Sequence, residues 1–148
     1  MVESYKEDSN AEKTEEEKQG VKINLHIQGR KLRDLDTFSK SDPQCTVYEL
    51  KDNQWVKIGE TEHIEDELNP NFTTLIPINY YFWQLQKLKF VMVDIDDDAG
   101  EKYDTIGEVE TTLGSVLHAK NSTFMDRLCF QGEVKKIGVL IVRAESVE

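Results

Sequence analysis

An apolar run, Phe90-Val91-Met92-Val93, passes directly into six acids within eleven positions: Asp94, Asp96, Asp97, Asp98, Glu101 and Asp104. The apolar half calls for a buried strand, and the acidic half cannot follow it into the interior. Two unit charges about 4 Å apart repel by roughly 4 kcal/mol at an effective dielectric near 20. The strand must therefore end at a boundary of the core. Its acids either splay into water or surround a cation. Ca²⁺ suits such a set, because it takes about 6–8 hard oxygen ligands in loose geometry.

The flanks decide what kind of loop this is. Val91 and Val93 before it, and Thr105, Ile106 and Val109 after it, favour strands over helices. An EF-hand loop would use Asp94, Asp96 and Asp98, but it needs Gly and Glu where this chain has Ala99 and Thr105. The stretch reads as a loop joining two strands.

The rest of the chain agrees with an all-β reading. Val21, Ile23, Leu25 and Ile27 alternate with Lys22, Asn24, His26 and Gln28, the pattern of a half-buried strand. Further strands are predicted over 44–50, 55–63, 72–80, 87–94, 105–112, 122–130 and 136–144. Pro77 marks the fourth as an edge or a bulge. A short helical turn is predicted over 82–86 and a short helix over 113–119. Eight short strands separated by turn signals indicate an antiparallel Greek-key β-sandwich occupying residues 21–146. Residues 1–20 are almost all polar and predict a disordered acidic tail, since so little apolar area cannot offset the entropy of ordering.

Composition excludes several function classes. The net charge of −11 argues against non-specific nucleic-acid binding, and against resting attraction to an anionic membrane. Two cysteines, Cys45 and Cys129, are too few for a disulfide framework and predict a reduced, intracellular setting. No signal segment opens the sequence, and Val2 does not suit myristoylation. The sequons at Asn71 and Asn121 then read as chance matches. His26, His63 and His118 are scattered, with no zinc spacing. No nucleophile motif or phosphate-binding glycine loop is present, so no catalytic residue is assigned and the chain is not read as an enzyme. Trp55 and Trp83 read as core or half-buried residues, and Cys45 as packing inward beside Val47.

Three loops, 34–42, 65–71 and 94–104, are unusually acidic, and alternate connections of a Greek-key sandwich meet at one end. In order along the chain stand Leu35-Asp36, Ser41-Asp42-Pro43, Leu68-Asn69-Pro70-Asn71-Phe72, Val93-Asp94-Ile95-Asp96 and Asp104-Thr105-Ile106-Gly107-Glu108. Taken together they resemble a C2 domain over residues 21–146. Asp94-Ile95-Asp96 and Ile106-Gly107-Glu108-Val109-Glu110-Thr111-Thr112-Leu113-Gly114 are most similar to the first C2 domain of copines. Copines carry a second C2 domain and a von Willebrand A-like domain besides. The strand order, with a strong apolar strand at Val139-Leu140-Ile141-Val142, resembles the circularly permuted, type II topology.

The resemblance implies a Ca²⁺-dependent module that docks on anionic, phosphatidylserine-like membrane. It implies a cytoplasmic domain that moves to the inner face of the plasma membrane, or to other membranes, with Ca²⁺. The implied metal ligands are Asp36, Asp42, Asp94, Asp96 and Asp104. The third loop is two residues longer than the common family pattern, which leaves Asp97 or Asp98 as substitutes for Asp104. Tyr103 is a candidate membrane contact. Phe38 reads either as a membrane-inserting tip or as packing against a neighbouring loop. The lysine-rich strand pair that binds phosphoinositides in some relatives is poorly matched, with only Lys51 and Lys57 among acids. The alternative is a calcium-independent module whose acidic face meets basic protein partners. As an isolated domain the chain is expected to be a monomer.

Overall fold

The computed structural model describes residues 20–35, 40–97 and 99–147. The tail expected to be disordered falls outside these residues except for Gly20, as do Asp36, Phe38 and Asp98. Among the described residues the strands are β1 (Val21–Arg30), β2 (Pro43–Lys51), β3 (Gln54–Glu60), β4 (Ile76–Tyr80), β5 (Lys87–Ile95), β6 (Tyr103–Thr112), β7 (Thr123–Arg127) and β8 (Val139–Ser146). A short helix, α1 (Leu113–Leu117), follows β6 and is capped by the Thr112 hydroxyl, which accepts from the Ser115 N–H. The strands form two four-stranded antiparallel sheets, ordered β4-β1-β8-β7 and β3-β2-β5-β6. β8 lies between β1 and β7, the position the permuted topology requires.

Alternation builds the core between the sheets. The inward residues Ile23, Leu25 and Ile27 of β1 meet Cys45 and Val47 of β2, Leu88, Phe90 and Met92 of β5, and Leu140 and Val142 of β8. Pro77 has no N–H for a ladder, and β4 is an edge strand, so only one neighbour has to accommodate it.

The predicted strands differ from the observed ones mainly where side chains take over backbone hydrogen bonds. β3 ends at Glu60 because the Thr61 hydroxyl accepts the Cys45 N–H at 2.9 Å and donates to Glu62 O at 2.9 Å. β4 starts at Ile76 rather than at 72. Phe72 still bonds Ile27 O at 3.2 Å, but the Glu62 carboxylate then accepts the Thr73 N–H, the Thr73 hydroxyl and the Thr74 N–H at 2.8, 2.8 and 3.1 Å, which interrupts the ladder before Ile76. β7 ends at Arg127, and the chain crosses between sheets where Cys129 and Glu108 exchange backbone hydrogen bonds of 2.8 and 2.9 Å. Residues 82–86 form a turn closed by the Gln84 N–H on Tyr81 O. The buried Gln86 amide pins this turn, taking the Tyr81 N–H and donating to Asn79 O and to Glu49. Phe82, Trp83 and Leu85 are left pointing outward. The half-buried expectation therefore holds for Trp55 and not for Trp83, whose exposed ring tilts against Tyr81.

Candidate functional site

The connections β1–β2, β3–β4, β5–β6 and β7–β8 all lie at one end of the sandwich, as the antiparallel registers dictate. The first three carry the acidic loops. At this end the β5 alternation that buries Leu88, Phe90 and Met92 continues to Asp94, which is fully buried. Its Oδ1 accepts the Asp42 N–H at 2.8 Å, and Asp42 O accepts the Ile95 N–H at 3.0 Å. Asp42 and Asp94 are thus locked together across β2 and β5. The Asp42 Oδ1 accepts the Asp66 N–H at 2.8 Å, and Ser41 O accepts the Glu67 N–H at 3.0 Å, which seats the second loop on the first.

Asp104 reaches the same place by a different route. Directly opposed residues of a ladder share a face. Phe90 opposes Val109 and Met92 opposes Gly107, but Val93 opposes Thr105, so Ile106 is one extra residue on β6. Such a bulge turns the following residues to the other face. As a result Asp104 stands opposite Asp94, on the same face of the sheet, and is exposed at the strand end. An unbulged ladder would set Thr105 there and turn Asp104 outward.

Asp96 lies two residues beyond Asp94 and is exposed, its N–H bonded to Lys102 O at 2.8 Å. Asp97 has a local role: its Oδ1 accepts the Glu101 and Lys102 N–H groups at 2.8 and 3.2 Å and caps the turn of the loop. Of the expected ligands, Asp42, Asp94, Asp96 and Asp104 gather at one end. Asp36 and Asp98 lie outside the described residues. Among the described residues alone, no three His, Cys, Asp or Glu side chains stand close enough together to hold a metal ion. The available donors are all hard carboxylate oxygens, the chemistry that suits Ca²⁺ rather than a softer metal.

Tyr103 is exposed, but it alternates with Asp104 and so belongs to the outer face of its sheet. There it lines a groove of about 350 Å³ with Tyr48, Val91, Val93 and Lys57. Two lysines of this face are engaged: Lys57 bonds Glu60 at 2.9 Å and the Lys89 ammonium sits 4.7 Å from the Trp55 ring centroid, while Lys51, on the opposite face of the sheet, lies 3.7 Å from Glu49. Sequence reasoning missed the role of Arg33 at the acidic end. Its guanidinium donates to Thr105 O at 2.7 Å and Ile106 O at 2.9 Å, and lies 4.1 Å from the Phe130 ring centroid.

The family profile of the C2 domain matches residues 22–128, and the chain belongs to that family. Among characterised proteins it is similar to Copine-E of Dictyostelium discoideum, 38% identical over an alignment of 135 residues that covers 86% of this chain and 23% of that protein. The chain thus spans about a quarter of the length of that relative. Two solved structures share the fold. BON1-C2B aligns with a TM-score of 0.68 at 20% identity, covering 92% of this chain and 98% of its own. The calcium-bound tandem C2 domains of Extended-Synaptotagmin 2 align at 0.61 and 24% identity, covering 86% of this chain and 46% of that one.

Proposed function

We propose that this chain is a Ca²⁺-dependent membrane-docking module, with Asp36, Asp42, Asp94, Asp96 and Asp104 holding the ion and anionic phospholipid as its partner. One observation carries the reading: the fully buried Asp94 carboxylate stands between Asp42, to which it is bonded, and Asp104, which opposes it across the ladder. A carboxylate is costly to bury without a compensating charge. Membership of the C2 family and a calcium-bound structural relative support the same reading.

Bound Ca²⁺ supplies positive charge at the loop mouth and coordination positions for lipid oxygens. The protein's own part is to bury Asp94 and to bring Asp42, Asp96 and Asp104 to the same end of the sandwich. Without the ion, Asp34, Asp42, Glu65, Asp66, Glu67 and the 94–104 cluster repel an anionic surface, by about 1 kcal/mol for each charge close to it. The domain then stays in the cytoplasm. With the ion, the end docks on the inner face of the plasma membrane or other membranes, and Phe38 adds apolar contact. No catalysis is involved, and the isolated domain acts as a monomer. Docking is weak by itself and is strengthened by linkage to further modules.

The second reading, a calcium-independent module for basic protein partners, is favoured by the carboxylate oxygens of Asp42 and Asp97 that already accept backbone N–H groups. Sedimentation with phosphatidylserine vesicles across a Ca²⁺ series separates the two. The native chain is expected to pellet only with Ca²⁺, and the Asp94→Asn, Asp96→Asn double variant to stay in solution. Equal binding by both at every Ca²⁺ level would refute the proposal, and capture of a basic protein in chelator with no lipid binding would favour the second reading.

A further inference from the structure

Arg33 lies in none of the acidic motifs, yet it touches three segments of the acidic end. Its backbone N–H bonds Ile137 O at 2.9 Å, and its carbonyl accepts from the Ser41 hydroxyl at 3.1 Å. That hydroxyl also accepts the Leu35 N–H at 3.0 Å, and Ser41 is fully buried next to Asp42. The Arg33 main chain is therefore fixed to the loop that delivers Asp42. Its side chain reaches across to β6 and ends on the two carbonyls of the bulge, Thr105 and Ile106, at 2.7 and 2.9 Å.

Those two carbonyls lie at the outer edge of β6, which is the last strand of its sheet. A bulge leaves its extra residue outside the ladder, so its polar groups need another partner. A planar guanidinium presents paired donors in a fixed fork and can satisfy two neighbouring carbonyls at once. The Phe130 ring holds the fork in place from behind. Gly107 closes the other side: a Cβ there would come within 2.7 Å of Ile137 and 3.0 Å of Leu128, so β6 packs against that segment next to the bulge.

We infer that Arg33 is a positioning residue for the cation site, holding the Ile106 bulge in the register that turns Asp104 to face Asp94. The inference rests on the Ca²⁺ reading of that end, and it adds a residue that touches no ion. Removing the fork leaves two carbonyls unpaired, and the ladder can recover by slipping one residue. Asp94 would then oppose Thr105, and Ile95 would oppose Asp104 in place of Tyr103. Losing a group that orients a metal ligand typically lowers metal affinity about 10–100-fold.

The test pairs Arg33→Met with Asp104→Asn. Ca²⁺ titration calorimetry is expected to show at least a tenfold loss for each single variant and no further loss in the double variant, because both remove the same ligand. A purely structural role would instead make the losses multiply, and that result would overturn the proposal, as would native affinity in Arg33→Met. Arg33→Lys, which keeps the charge without the fork, is expected to recover little affinity and also serves if Arg33→Met does not fold. A second readout needs no metal. The α-protons of Ile95 and Tyr103 oppose each other across the ladder, and their close contact in NMR is expected in the native chain and lost in either Arg33 variant. If that contact persists in the variants, Arg33 does not set the register. If it is lost while the native chain shows no Ca²⁺ heat, the Ca²⁺ reading fails and the register role stands.

Discussion

At Glu62 a single carboxylate does the work of a strand ladder, accepting from Thr73 and Thr74 where β4 has yet to begin. Burial raises its pKa, but the hydrogen bonds from Thr73 and Thr74 outweigh this and bring it from 4.5 down to about 2. In that window the unfolded chain binds the proton and the folded chain does not, so folding is favoured as pH rises. This contribution is complete above pH 4.5 and is lost as pH falls towards 2. Thermal melts of Glu62→Gln across that range are expected to lack this part of the acid sensitivity and to lie below native at neutral pH. Parallel curves for variant and native chain would show that the carboxylate does not matter. The sequence put Glu62 inside a strand, because a side chain that replaces backbone partners leaves no mark in hydrophobic periodicity. The burial of Asp94 was easier to read, since it continues the alternation of Phe90 and Met92. Cys45 also packs as alternation indicated, and its burial pushes the thiol pKa upward, which keeps it unreactive.

The strands themselves were legible because period-two burial is written directly into β1, β5 and β8. Phe90 is central to this, fully buried on β5 in the core shared by both sheets. Phe90→Ala is expected to destabilise the domain by about 3–5 kcal/mol, through lost burial and the cavity left behind. Urea unfolding measures it, and a loss below about 1 kcal/mol would mean that the sheets close over the gap. The β6 bulge was not legible. One extra residue in a ladder changes no composition and no motif, yet it decides whether Asp104 or Thr105 stands opposite Asp94. The role of Arg33 was missed for the same reason: its partners are backbone carbonyls more than seventy positions away, and they exist as a pair only once the bulge has formed.

For the molecule as a whole, topology does what no single loop can. The antiparallel sandwich returns its acidic connections to one end, so residues as distant in sequence as Asp42 and Asp94 become bonded neighbours. The exposed Phe82, Trp83 and Leu85 turn sits at the opposite end, so the two ends differ sharply in character. An acidic end of this kind should be the part of the molecule most sensitive to divalent cations. A ligand that binds only the folded state stabilises it by about 2.7 kcal/mol when present at a hundred times its dissociation constant. Thermal unfolding of the native chain in chelator, in Ca²⁺ and in Mg²⁺ tests this most directly. The melting temperature is expected to rise by several degrees in Ca²⁺ and by less in Mg²⁺, which holds its waters and demands octahedral geometry. Superimposable curves in chelator and in millimolar Ca²⁺ would contradict a calcium site at this end of the sandwich.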